Sequence, residues 1–210
     1  MGTVGRPTLL ARFVYSPLNY WASLVGDALM AVGFLLFGFW LWMRSGFVGS
    51  PTAIDLLVPL LALASGWLFW SLAEYVLHRY VLHGPRSLAR DGHAQHHSDE
   101  HALLASPLFI IPGIELLIWW LLSLAIGAMP SALFVAGAAS GYASFSLLQH
   151  VFHHLERRHE EGKPRRWGLL ESLKRNHDVH HGSARYNFGT TTSLWDRVFG
   201  TYRAPRSSKA

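Results

Sequence analysis

Four long apolar runs constrain the fold of this chain more than any other feature. They cover residues 24–43, 56–77, 107–128 and 131–148. Each has close to the roughly 20 residues that a helix needs to cross a hydrocarbon core of about 30 Å. Only Met129 and Pro130 separate the last two runs, which predicts a tight helical hairpin there. The pattern predicts an all-α membrane protein with about four transmembrane helices in a single domain over residues 1–210.

Composition supports this interpretation. Half of the 210 residues are hydrophobic and 15% are charged, which is fewer charges than a typical soluble domain carries. Acidic residues inside the runs, such as Asp27 and Glu115, leave open a soluble protein with buried core helices. The chain has no cysteine, which excludes disulfides, thiolate metal sites, iron–sulfur clusters on cysteine and cysteine nucleophiles.

Basic residues predict the orientation of the helices. With four spans, seventeen of the eighteen Lys and Arg residues fall on one side of the membrane and one, Arg44, falls on the other. Positively charged loops stay in the cytoplasm, so both termini and the connection after the second span are expected there. The net charge of +5 does not indicate nucleic-acid binding, because no basic face with interleaved aromatic residues is present.

Eleven of the thirteen histidines fall in four short boxes, all on the predicted cytoplasmic side. The boxes are HRYVLH at 78–83, HAQHH at 93–97, HVFHH at 150–154 and HDVHH at 177–181. Neutral imidazole is the commonest nitrogen ligand of transition metals, and core packing does not account for such clustering. The boxes therefore predict a cytoplasmic helical cap that holds metal, formed by residues 78–106 and 150–202. Residues 203–210 are predicted to be a disordered tail.

The spacing within the boxes suits helices. Residues three and four positions apart share one helical face, so each of the last three boxes is expected to present its nitrogens to one point. His78 and His83 are five positions apart, about 140° around a regular helix. We expect Gly84 and Pro85 to unwind the last turn so that both rings converge.

Counting donors predicts two metal ions with about five histidines each and with open positions for water, hydroxide or dioxygen. The predicted ligands are His78, His83, His93, His96, His97, His150, His154, His177, His180 and His181. A closed four-ligand zinc site would leave most of them unexplained. The soluble carboxylate di-iron pattern and the HExxH protease motif are both missing from the sequence.

Three histidines are not among the ten predicted ligands: His101, His153 and His159. They are expected to be bystanders, although 150, 153 and 154 themselves form an HxxHH spacing. Hydrogen-bond acceptors should fix the ring tautomers of the ligands. The candidates are Asp178, Asp196 and Glu74, the last of which lies one turn before His78.

The four boxes, in this order and with hydrophobic hairpins between them, resemble the fatty acid hydroxylase/sterol desaturase superfamily. The similarity is closer to its fatty acid 2-hydroxylase branch and covers about residues 65–202. Supporting segments are EYVLHRYVLH, SPLFIIP and FGTTTSLWDRVFGTY. The resemblance implies that the ten predicted ligands hold a non-haem dimetal centre. It implies two iron ions in the active form, with zinc found in some cases, and dioxygen-dependent hydroxylation of a lipid or fatty-acyl substrate.

No haem-type electron-donor domain is fused to the chain, so a separate electron-donor protein is expected. Carotenoid- or sterol-type hydroxylases and desaturases use a similar set of boxes and stay open as alternatives. Two further alternatives are a non-enzymatic metal-binding membrane protein and a zinc-dependent hydrolase. Transport is disfavoured because the histidines flank the spans and the span interiors are apolar.

Overall fold

The computed structural model describes residues 13–45, 50, 52–103, 105–154 and 168–205, and within those ranges it is helical with no strand. The α-helices are α1 Pro17–Arg44, α2 Ala53–Leu77, α3 Leu88–Ser98, α4 Ile110–Ile126, α5 Ala128–His154, α6 Gly168–Gly182 and α7 Leu194–Val198. A π-helix, His78–Leu82, continues directly from α2. The predicted all-α class is therefore confirmed.

All four apolar runs are helical, but they differ in length. Three segments are long and apolar enough to cross a membrane: Pro17–Arg44, Ala53–Leu82 and Ala128–His154. Helix α4 has 17 residues, about 26 Å of helix, which is at the lower limit for a span. The crossing of the membrane by α4 therefore stays a prediction.

The turn between α4 and α5 is displaced from its predicted position. It falls at Gly127, whose φ of 88° is a conformation that glycine adopts without strain. Met129 and Pro130, expected to form the turn, lie in the first turn of α5 instead. Proline is tolerated there because the first N–H groups of a helix have no partner within the helix.

The chain divides into two compact units. The first unit contains residues 1–66 and 102–143, and its core is formed by Phe34 of α1 packed with Ala132, Val135 and Ala136 of α5. Helices α2 and α5 approach closely, since a Cβ added to Gly66 would lie 1.9 Å from the Phe134 carbonyl oxygen. Small residues permit this kind of contact between membrane helices.

The surface of the first unit is apolar, and its acidic residues point inward. Leu18 and Leu29 of α1 are 72% and 66% exposed, whereas Asp27 of α1 and Glu115 of α4 are only 5% and 7% exposed. Apolar residues outside and carboxylates inside are the arrangement expected of helices surrounded by lipid. The soluble alternative requires the opposite arrangement, so the structure supports a membrane protein.

The second unit contains residues 67–101 and 144–210 and holds all twelve described histidines. Its last segment is organised by Asp196, a fully buried residue of α7. The Asp196 carboxylate accepts hydrogen bonds from the backbone N–H groups of Phe188 and Gly189, at 2.8 and 2.9 Å. It also accepts one from the Thr201 hydroxyl at 2.7 Å. The loop over residues 186–193 is therefore fixed by the short helix that follows it.

Parts of two predicted segments lie outside the described residues, namely 155–167 of the cap and 206–210 of the tail. Of the remaining tail, Arg203 makes two backbone hydrogen bonds with the Asn187 side chain, at 2.8 and 2.9 Å. Asn187 itself has a φ of 54°, a conformation that asparagine adopts more readily than most residues.

Candidate metal centre

Nine histidines of the second unit form two groups. The first group is His78, His83, His93, His97 and His180, and the second group is His96, His153, His177 and His181. Within each group, one ring nitrogen of every member lies within 4.8 Å of the corresponding nitrogens of the others. Eight of the ten predicted ligands are brought together in this way.

The π-helix brings His78 and His83 into the first group. The His83 N–H donates to the His78 carbonyl at 3.1 Å, the i→i+5 bond that places residues five apart on one face. The two rings are stacked, with centroids 5.2 Å apart and planes at 24°. The expected unwinding at Gly84 and Pro85 is therefore replaced by a wider helical turn. Gly84 is required there, because a Cβ would lie 1.9 Å from the Tyr80 carbonyl oxygen.

The boxes on α3 and α6 each contribute to both groups, so the expectation that one box serves one point needs correction. On α3, His93 and His97 belong to the first group, whereas His96 belongs to the second. Successive residues are about 100° apart around a helix, so the middle histidine faces a different neighbour from the i, i+4 pair. On α6 the arrangement is reversed: His180 belongs to the first group, whereas His177 and His181 belong to the second.

The nitrogens of the first group are too close and too numerous to be satisfied by hydrogen bonds alone. His93 Nε2 lies 3.0 Å from the Nε2 atoms of His78 and His83, and 3.1 Å from that of His97. A neutral imidazole has a single N–H, which cannot serve three acceptors. Two nitrogens bound at about 2.1 Å and at a right angle to one ion lie about 3.0 Å apart. These separations therefore fit a shared cation.

Two backbone carbonyls fix which nitrogen of the ring is free to bind. His78 Nδ1 donates to the Phe188 carbonyl at 2.5 Å, and His180 Nδ1 donates to the Tyr186 carbonyl at 2.8 Å. A carbonyl can only accept, so Nδ1 carries the proton in both rings. The Nε2 atoms of these rings therefore present lone pairs to the centre of the group. Such a second hydrogen bond is the usual support of a ligating histidine.

The surroundings keep the rings of both groups neutral. Burial, helped by neighbouring imidazoles, lowers the pKa of His97 to about 4 and that of His96 to about 3. Burial likewise lowers the pKa of His180 to about 3. Neutral imidazole is the form that binds metal, so this environment favours binding.

The second group has unsatisfied nitrogens and a carboxylate neighbour. His153 Nε2 lies 2.9 Å from His177 Nε2, and the Nε2 atoms of His96 and His181 are buried without a hydrogen-bond partner. Buried polar atoms left unpaired are costly, and a cation would satisfy them. The Glu100 carboxylate lies 3.1 Å from His181 Nδ1 and 3.4 Å from His153 Nδ1. Glu100 was not predicted, since only its position three residues after a box hints at a role.

The box on α5 contributes a different residue from those predicted. His153, expected to be a bystander, belongs to the second group, whereas His150 and His154 belong to neither group. The rings of His150 and His154 stack on each other at 5.1 Å, and His101 lies 6.1 Å from His154. Around the helix, His150 and His154 are about 60° and 100° from His153 in the same direction, so both are turned to one side of it.

His159, the third expected bystander, lies outside the described residues. Two of the three acidic residues predicted to hold the ligand rings act on the loop over residues 186–193 and not on the rings themselves. Thr190 and Thr191 donate their backbone N–H groups to the buried Glu74 carboxylate, and the Thr191 hydroxyl donates to it as well. Glu74 and Asp196 therefore brace the loop whose carbonyls accept from His78 and His180. Asp178 instead pairs with Lys174 at 2.9 Å.

Fold and site together define a helical membrane protein with two adjacent histidine groups, each able to hold a metal ion. Residues 63–201, which include every histidine of both groups, match the family model described as fatty acid hydroxylase. The chain belongs to this family, and it is a hydroxylating oxidoreductase.

Relatives with named activities share this region. Dihydroceramide fatty acyl 2-hydroxylase FAH1 of Arabidopsis thaliana is 28% identical over 94% of this chain and 84% of its own length. Fatty acid 2-hydroxylase of Homo sapiens is 30% identical over 65% of this chain, but this covers only 38% of the human protein.

Ceramide very long chain fatty acid hydroxylase scs7 of Schizosaccharomyces pombe is 29% identical over 74% of this chain and 46% of its own length. The solved structure of full-length scs7p, in which only the hydroxylase domain is visible, gives a TM-score of 0.62. That likeness covers 97% of this chain and 73% of the other at 22% identity, so it indicates a shared fold.

Proposed function

We propose that this chain is a membrane-bound non-haem di-iron oxygenase that hydroxylates a lipid acyl chain. The observation that carries the proposal is the pair of adjacent histidine groups, whose ring nitrogens converge within 4.8 Å in each group. The ligand set that we propose is the nine histidines of these groups, with His153 in place of His150 and His154. Imidazole suits iron and zinc alike, so zinc can occupy the same positions.

When bound, two iron ions would supply the redox chemistry by which dioxygen is activated for insertion into a C–H bond, a reaction that side chains cannot perform unaided. The protein supplies the geometry. The Phe188 and Tyr186 carbonyls hold His78 and His180 in the tautomer that binds metal. The Glu100 carboxylate lies near the Nδ1 atoms of His153 and His181 and would help to orient these rings from outside the second group. Rings fixed in this way would bind without rearrangement.

The site follows a candidate membrane span, which supports a lipid substrate. Helix α2 is apolar and passes into the π-helix without interruption, so His78 comes at the very end of a membrane helix. An acyl chain lying along such helices would keep its polar end near the surface. Oxidation would then fall near the head group rather than near the terminal methyl group. The named substrates of the relatives, ceramides and fatty acids, are consistent with this placement.

Two further parts of the proposal concern the surroundings of the chain. The distribution of basic residues supports cytoplasmic termini and a cytoplasmic metal centre. Reduction of dioxygen requires electrons, and this chain has no cysteine with which to hold an iron–sulfur cluster. We propose that a separate electron-donor protein docks on the cytoplasmic face.

The test combines lipid analysis with metal analysis. Cells that express the protein should contain acyl lipids with one additional oxygen that control cells lack, and protein purified without oxygen should contain two metal ions per chain. His93→Ala and His177→Ala should each abolish the product and lower the metal content, because each removes one member of a group. A product that has lost two hydrogens instead would identify a desaturase.

Two matched substitutions serve as controls. His101→Ala removes an exposed ring outside both groups. His154→Ala removes a half-buried ring that is also outside both groups and on the same helix as His153. Both should retain product and metal, whereas His153→Ala should lose one ion. Full hydroxylation by His93→Ala or His177→Ala would overturn the proposed function.

A further inference from the structure

The second histidine group has one member fewer than the first, and an amide side chain stands one helical turn before its member on α5. Gln149 is on α5, four residues before His153, so the two side chains project from the same face about 5–6 Å apart at Cβ. The Gln149 Oε1 atom is buried and has no hydrogen-bond partner among the described residues. An unpaired buried carbonyl oxygen is costly, because it has lost its hydration without replacement.

The neighbours of Gln149 show which way this face of α5 is turned. One turn earlier, Phe145 packs against Trp70 of α2, with ring centroids 6.2 Å apart. On the following turn, Phe152 packs against His177 of α6 at 5.6 Å. All of these α5 residues fall within an arc of about 100°. Gln149 therefore lies on the face that is directed toward the histidines of the second unit.

We propose that Gln149 Oε1 is the fifth protein donor of the second metal group, a proposal that rests on the proposed function. The first group has five imidazoles, and the second has four imidazoles together with this amide oxygen. Amide oxygens are established metal ligands, although neutral oxygen is a weaker donor to iron and zinc than imidazole. Coordination would also satisfy the buried oxygen, which would account for a polar residue at this point of the helix.

The two ions would consequently differ in how tightly they are held. The ion in the second group, bound by the weaker donor set, would leave first when a chelator is added. Cobalt(II) is a suitable probe, because its visible absorption reports the number of ligands and because cobalt favours nitrogen and oxygen donors as iron does. The full chain in detergent would be loaded with two equivalents of cobalt(II), and release to a chelator would then be followed.

Wild-type protein should bind two ions and release them in two phases. Gln149→Leu, which retains the volume but removes the oxygen, should weaken binding of the faster-released ion by at least about tenfold. It should also change the visible spectrum of that ion and leave the slower phase unchanged. Gln149→Glu keeps an oxygen donor and adds charge, so it should bind the same ion at least as tightly as wild type. Gln95→Leu, an exposed amide on α3, is the matched control and should behave as wild type.

Three results would count against the proposal. Gln149→Leu with two ions, unchanged release and an unchanged spectrum would show that the amide is not a ligand. Weaker binding with an unaltered spectrum would show that Gln149 only orients a histidine, and this also overturns the assignment. If Gln149→Leu does not fold, Gln149→Glu decides, because faster release from that variant contradicts the proposal. Wild-type protein that binds no metal would overturn the proposed function itself, which distinguishes the two failures.

Discussion

Individual residues outside the two histidine groups determine how the rings are held, and Glu100 is the clearest case. Its carboxylate lies within 3.4 Å of the Nδ1 atoms of His153 and His181, both in the second group, and acts on the first group only through a longer-range electrostatic effect on His97. The side chain of Glu100 is 49% exposed, so water can replace part of its effect. We therefore expect Glu100→Ala to weaken metal binding in the second group only, by about tenfold.

The measurement is the rate of metal release to a chelator, with one phase expected to accelerate and the other to stay as in wild type. Asp91→Ala is the matched control, because Asp91 is a similarly exposed carboxylate on α3 that pairs with Arg86 at 3.5 Å. Equal release rates for Glu100→Ala and wild type would mean that the carboxylate has no part in holding the rings.

At the scale of the secondary-structure elements, the π-helix decides whether the first group can form. Gly84 follows its C-terminal cap, His83, and a methyl group at this position would meet the backbone oxygen of Tyr80, which cannot rotate away. Gly84→Ala should therefore distort the turn at a cost of roughly 1–3 kcal/mol and displace His83. The expected result is loss of the ion in the first group together with a lower melting temperature.

Gly113→Ala provides the comparison for this substitution. Gly113 lies in α4, where an added Cβ meets nothing within 4 Å, and alanine is the better helix former. This variant should keep both ions and unfold at the same temperature as wild type or slightly higher. Should Gly84→Ala retain two ions with the affinity of wild type, the π-helix would not be what brings His83 into the group.

The same elements show how far the sequence could predict the centre. On α3 and α6 helical spacing predicted that the i, i+4 pairs, His93 with His97 and His177 with His181, converge, but it did not predict that the third histidine of each box joins the other group. It was insufficient for α5, where the box at 150–154 offers overlapping pairs. Packing of Phe152 against α6 selects the face that carries His153.

The remaining features depend on contacts distant in the chain. Nothing in HRYVLH distinguishes an α-helical turn from a π-helical one, and an unwound end was the reasonable prediction. The carbonyls of Tyr186 and Phe188 reach their histidines only after the chain has passed through α6. Local patterns cannot specify such partners, whereas they did predict the apolar helices and most of the histidines that form the two groups.

For the whole molecule, the histidine groups constrain the number of membrane crossings. His97 precedes α4 and His180 follows α5, yet their ring centroids are 4.9 Å apart. The two residues must therefore lie on the same side of a membrane, and the chain must cross it an even number of times between them. Helix α5 is long enough to cross. If it does, α4 must cross as well, despite having only 17 residues.

The absence of cysteine makes this topology directly testable, because any introduced cysteine is a unique label site. With four spans, Ser50→Cys and Ala128→Cys should react with a membrane-impermeant maleimide in intact cells. Both positions are exposed, and each follows an odd number of crossings from the cytoplasmic N-terminus, one for Ser50 and three for Ala128. Ser98→Cys and Leu169→Cys, exposed on the histidine side, should react only after permeabilisation. Protection of Ala128→Cys together with Ser98→Cys would mean that α4 does not cross. In that case α5 could not cross either, because His97, before α4, and His180, after α5, have to lie on the same side of the membrane.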